Sequence, residues 1–98
     1  MDNTGLLNSE KSVLIINNFT ALKIVYVNEK NEYIEEEYQV DEKNTMNILN
    51  LLGACWKSKI MPIKGDFLDN INDRFKVKRR FFEIKENDVL FIVFEICT

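Results

Sequence analysis

At 98 residues, 46% apolar and 30% charged, the chain has room for one hydrophobic core and is too apolar for a disordered polymer. It has no histidine, which removes Ser-His-Asp and Cys-His catalysis, most catalytic zinc sites and any imidazole acting as acid or base near neutral pH. Its net charge of −3, with no basic reading helix, argues against DNA binding, and its longest apolar run, six residues at 89–94, is far too short to cross a bilayer.

The first eleven residues are polar, lack the basic start and apolar centre of a signal peptide, and read as a flexible leader to a single domain over 12–98. Residues 12–16 (SVLII) and 21–27 (ALKIVYV) are β-branched apolar runs and predict two strands around a turn at Asn17 and Asn18. After the polar turn 28–32, residues 33–40 (YIEEEYQV) predict a third, wet edge strand whose acids discourage edge-to-edge sticking. The clearest helix is predicted over 45–52, with Asn44 as its N-cap and Gly53 just past its end.

Residues 54–64 hold Pro62 among Trp56, Ile60, Met61 and Ile63, which suits a loop or edge segment. Trp56 fits a core or interface anchor better than a ligand stack. Phe67, Ile71 and Phe75 recur every four residues, with Asp66 and Asp69 near one end and Arg74 at the other; this predicts a second helix over 67–75. The chain closes with a hairpin of 77–84, the turn Lys85 to Asp88, and 89–97. The last run, VLFIVFEIC, has six apolar residues without alternation and predicts a central strand. The expected fold is thus α+β, a mostly antiparallel sheet of about five strands with two helices, in the order β-β-β-α-α-β-β.

Cys55 and Cys97 lie in apolar surroundings, with no Cys-x-x-Cys pair, and read as buried thiols of a reducing compartment. No phosphate-loop or dinucleotide glycine pattern exists among Gly5, Gly53 and Gly65. No cofactor or metal is expected. Charge is unevenly placed. Residues 28–42 carry seven acids against one base, and residues 57–80 carry eight bases against three acids. A basic strand with exposed phenylalanines can hold a phosphate-rich ligand, arginine supplying charge and fork geometry and the ring a stacking surface. The acidic strand, with Glu35 and Glu37 on one face, can instead enter a basic protein groove. Both can also be no more than solvated faces.

Three blocks, in order, resemble the viral ring nuclease family, the type III anti-CRISPR proteins that degrade cyclic tetra-adenylate. Val13-Leu14-Ile15-Ile16-Asn17-Asn18-Phe19-Thr20 is similar to the family's first strand and its Asn-x-Phe-Ser type turn. Asn44-Thr45-Met46-Asn47-Ile48-Leu49-Asn50-Leu51-Leu52-Gly53 is similar to the helix that lines the ligand site. Arg79 or Arg80 through Asp88-Val89-Leu90-Phe91-Ile92-Val93 is similar to its Asn-Arg strand, acidic turn and next apolar strand. The blocks cover roughly a third of the chain. The family's C-terminal arginine motif is missing, and its catalytic histidine falls on Glu42.

The resemblance implies a homodimer with a cyclic oligonucleotide on its axis. Asn17, Asn18, Thr20, Asn44, Thr45 and Arg79 or Arg80 would then contact the ligand. In the family's reaction a ribose 2′-hydroxyl attacks its own phosphate and a proton donor assists the departing oxygen. A glutamate with a reference pKa of about 4.3 is a poor donor at neutral pH. The chain is therefore expected to be a small non-enzymatic anti-defence protein of viral or mobile-element type in the host cytoplasm, sequestering a cyclic oligonucleotide or blocking a host defence protein. The alternatives are a ring nuclease using Glu42, and an interaction module, such as an immunity or assembly factor, using Glu35 and Glu37.

Overall fold

The computed structural model describes residues 12–34, 42–69 and 74–98. Strands β1 (Val13–Asn17) and β2 (Thr20–Tyr26) precede helix α1 (Glu42–Ser58); β3 (Phe67–Asp69), β4 (Arg74–Ile84) and β5 (Leu90–Cys97) follow, the last two joined by a turn at Glu86–Asp88 in which Asn87 and Asp88 take positive φ. All five strands form one sheet in the order β1-β2-β5-β4-β3. The unbroken apolar run of β5 therefore occupies the centre, where both faces of a strand are covered.

The sheet is mixed rather than mostly antiparallel. β2 and β5 run parallel from Thr20 opposite Leu90 to Tyr26 opposite Ile96, while β1–β2, β3–β4 and β4–β5 are antiparallel. A parallel pair needs a crossover, and here the connection from residue 27 to residue 89, which carries α1, β3 and β4, supplies it. The pairing joins segments some seventy residues apart, so no local pattern announces it.

The expected second helix over 67–75 does not form among the described residues. Phe67–Asp69 is a short strand paired with Arg74–Lys76, in the register Phe67 opposite Lys76, Leu68 opposite Phe75, Asp69 opposite Arg74. The alternation in Arg74-Phe75-Lys76-Val77 decides the matter: Phe75 and Val77 are buried, and their basic neighbours Arg74 and Lys76 are exposed. Four-residue spacing of phenylalanines loses to this two-residue period, and Phe67 stays 56% exposed. Asp69 and Arg74, expected at opposite helix ends, face each other across the hairpin instead. Arg74 donates from Nε to Asp69 Oδ1 at 2.6 Å and from Nη2 to Oδ2 at 3.2 Å. That pairing holds the Arg74 guanidinium above its usual pKa, the hydrogen bond first and charge attraction second.

Helix α1 starts two residues before the expected cap and runs through Gly53. Its buried positions, Thr45, Ile48, Leu49, Leu52 and Gly53, with Trp56 packed beside them, follow the spacing of one helical face. Gly53 is a packing residue, not a stop: a Cβ there would lie 3.0 Å from Leu14 Cδ2 of β1. The helix ends five residues later. Lys59 takes a φ of 61°, its N–H donates to Trp56 O, and Ile60 N–H donates to Cys55 O. This is a Schellman closure with lysine where glycine is the usual residue.

The core lies between α1 and the inner face of the sheet. Leu22, Ile24 and Tyr26 of β2, Ile92, Phe94 and Ile96 of β5, and Phe75 and Val77 of β4 meet Ile48, Leu49 and Leu52. Fully burying each such aliphatic or phenyl side chain stabilises the fold by roughly 1.5–3 kcal/mol. The expected strand at 33–40 is described only at its start, where Tyr33 bridges Val27 and Ile34 N–H donates to Tyr26 O. Its remainder, and the expected leader at 1–11, lie outside the described residues.

A candidate ligand face on the outer side of the sheet

Since Ile92, Phe94 and Ile96 face the helix, the alternate residues Phe91, Val93, Glu95 and Cys97 line the outer face. Register extends that face across three strands as successive rows: Ala21–Phe91–Glu83, Lys23–Val93–Phe81 and Val25–Glu95–Arg79. Strands pack about 4.8 Å apart, so each row is about 10 Å wide. A bulge between Val77 and Arg79 makes Lys78 the extra residue and sets Arg79 opposite Glu95.

Glu95 is 4% exposed, yet its carboxylate is fully engaged. Arg79 donates from Nε to Oε1 at 3.0 Å and from Nη2 to Oε2 at 2.8 Å, and the Tyr33 hydroxyl donates to Oε2 at 3.2 Å. A bidentate fork is the strongest way to hold a carboxylate that has lost its water. Hydrogen bonding to Glu95 raises the Arg79 pKa above its usual value; desolvation opposes this, and attraction to Glu95 and Tyr33 adds to it. Arg79 is therefore a permanent cation, with its side chain 58% exposed.

The same guanidinium lies over the Phe81 ring, 4.4 Å from its centroid. Lys85, 3.5 Å from Glu83, sits 5.7 Å from the centroid of Phe91. Two half-buried phenyl rings thus share one face with Arg79, Lys85 and Lys23, and Lys76 lies further along β4 opposite Cys97. Rings bordered by cations can stack a base and neutralise a phosphate together. Among the described residues, no group of three or more Cys, Asp or Glu side chains could hold a metal ion, and no helix is long and apolar enough to cross a membrane.

The residues expected from the resemblance do not converge. Asn17, Asn18 and Thr20 form the β1–β2 turn: Asn17 Oδ1 accepts from Phe19 N–H at 2.8 Å, Asn18 is exposed, and Thr20 is buried opposite Leu90. Asn44 and Thr45 sit in the first turn of α1, at the other end of β2, where the Thr45 and Tyr26 hydroxyls share a buried hydrogen bond of 2.7 Å. Thr20 and Tyr26 are six residues apart on one strand, about 20 Å. Arg79 is on the outer face. Arg80, opposite Phe94, is on the inner one, where Nη1 donates to Pro62 O at 3.3 Å and the guanidinium lies over Phe82 at 5.5 Å. Glu35 and Glu37 lie outside the described residues.

Sequence reasoning reached Arg79 but missed Lys23, Tyr33, Phe81, Lys85, Phe91 and Glu95 as neighbours of it. One signal was present: Glu95 is the sole charge in the apolar run of β5, and a basic strand precedes it to supply a partner. Comparison with protein-family models, curated proteins and solved structures finds no match in any of the three.

Proposed function

We propose that this chain is a binding protein that captures a short phosphodiester ligand, a cyclic oligonucleotide, on the outer face of its sheet. The reading is supported by one observation above the others: Arg79 lies over Phe81 and Lys85 over Phe91 on a face that the helix does not cover. The rings offer stacking surface. Arg79 on β4 and Lys85 just past its end, six residues apart, offer charge over about 20 Å, and Lys23 lies about 10 Å across the sheet from Phe81, the span of a short oligonucleotide.

The face holds its ligand without transforming it. Both oxygens of Glu95 are taken up as acceptors from Arg79 and Tyr33, so this carboxylate is not free to act on a leaving oxygen. Within the anti-defence role that the resemblance implies, the protein sequesters the cyclic nucleotide in the host cytoplasm, so that its receptor stays unoccupied.

Calorimetry with cyclic tetra-adenylate tests this against wild type and the double variant Lys23→Ala/Lys85→Ala. Saturable heat that the double variant loses supports the reading. Silence with cyclic di-, tetra- and hexa-adenylate, or unchanged heat in the variant, removes it. Linear product in the recovered ligand would identify a ring nuclease instead.

A further inference from the structure

A second surface lies at the β1 edge, away from the ligand face. No described strand lies beyond β1. Ile24 N–H donates to Ser12 O at 2.9 Å, so Ser12 and Ile24 are a hydrogen-bonded pair, and Leu14 with Leu22 is the next in the alternation. The N–H and C=O groups of Val13 and Ile15 therefore point away from β2. Natural sheets guard such edges with lysine, proline or inward charges. β1 reads Val-Leu-Ile-Ile-Asn and carries none of these, and Ile15 is 74% exposed.

Beside the edge runs a cleft of about 380 Å³ between β1 and the last turns of α1. Leu14, Ile16, Gly53 and Trp56 give it an apolar wall, and at its floor Gly53 lets the helix approach Leu14 closely. Among the described residues, Lys57 is the sole charged one lining it and has no carboxylate partner. Outward-pointing backbone groups, an aromatic-walled slot for alternate side chains and a cation with no carboxylate partner among the described residues are the parts of a strand-addition site.

We infer that the β1 edge and its cleft bind an extended, apolar peptide bearing a carboxylate that pairs with Lys57, added to the sheet as a sixth strand. The backbone ladder supplies affinity, the Trp56 slot selects an apolar side chain, and Lys57 selects the acid. This surface is independent of the nucleotide face.

The test uses two dye-labelled, capped heptapeptides, Val-Glu-Val-Leu-Val-Glu-Val and its Lys-for-Glu counterpart, followed by fluorescence polarisation. The full chain should bind the acidic peptide, and the basic one roughly fivefold more weakly, the upper end for one exposed ion pair. Lys57→Glu should reverse that order. Ile15→Pro, which deletes an outward N–H, should abolish binding of both peptides while cyclic tetra-adenylate titrations and the circular dichroism spectrum stay as in wild type. Equal binding of both peptides to wild type and Lys57→Glu would overturn the inference, and that comparison stands even if Ile15→Pro does not fold. A wild-type dimer that Ile15→Glu converts to monomer would also overturn it, because a second copy would then fill the edge.

Discussion

The two faces of the sheet are made by the same strands and do opposite things. On the inner face, Leu22, Ile24, Val77, Phe94 and Ile96 are essentially removed from water and meet Leu49 and Leu52 of α1. On the outer face the same β2, β5 and β4 carry Lys23, Arg79 and two half-buried phenylalanines around a buried centre of Ala21, Val93 and Glu95. The inner face stabilises the fold by excluding water and leaves nothing for a ligand to touch. The outer face gives up part of that stabilisation and keeps cations and rings in reach. A strand's two-residue alternation lets one stretch of chain serve both ends.

Substitutions should separate the faces by magnitude. Phe94→Ala empties the centre of the inner face and should cost about 3–5 kcal/mol of unfolding free energy in urea denaturation. Gly53→Val pushes a side chain into Leu14 across the helix–β1 contact and should cost about 1–3 kcal/mol in the same measurement. A neutral result would mean that the helix can lift from β1 freely.

On the outer face, Arg79→Ala strips Glu95 of its fork and should lower the melting temperature by less than Phe94→Ala does. The sign of its pH dependence follows from the raised Arg79 pKa. A raised cation stabilises at every pH below its unfolded value and loses that contribution only as pH climbs through the folded one. Both lie in strong alkali, so the gap between wild type and variant should be flat from pH 6 to 10. A gap that closes over that range would show that Arg79 is not the partner that matters. Lys59→Gly relieves a left-handed lysine at the end of α1 and should add about 0.5–1 kcal/mol. Lys23→Ala/Lys85→Ala, the smallest effect on stability, should stay within about 0.5 kcal/mol of wild type while ligand heat disappears.

Local chemistry explains which parts of this plan were legible in the sequence. The first two apolar runs, the helix centre at 45–52 and the central position of the last strand follow from composition and period alone. The 67–75 segment misled because Phe67, Ile71 and Phe75 suit a helix, while the competing alternation begins only at Arg74 and needs the pairing with β3 to count. Gly53 misled because a glycine ends a helix in isolation, whereas here Leu14, distant in sequence, requires its missing side chain. The mixed sheet was invisible, since β2 and β5 are adjacent only after the crossover is made. The ligand face suffered the same way: Arg79 stood out by charge, but Lys23 and Phe81 become neighbours only through Val93 of β5.

Amide chemical-shift mapping during titration with cyclic tetra-adenylate tests the division between the faces most directly. The account predicts perturbations clustered at Lys23, Arg79, Phe81, Lys85 and Phe91, with the inner positions of α1 from Ile48 to Leu52 unmoved. Shifts centred instead on Asn17, Thr20, Asn44 and Thr45, or no shifts at saturating ligand, would contradict it.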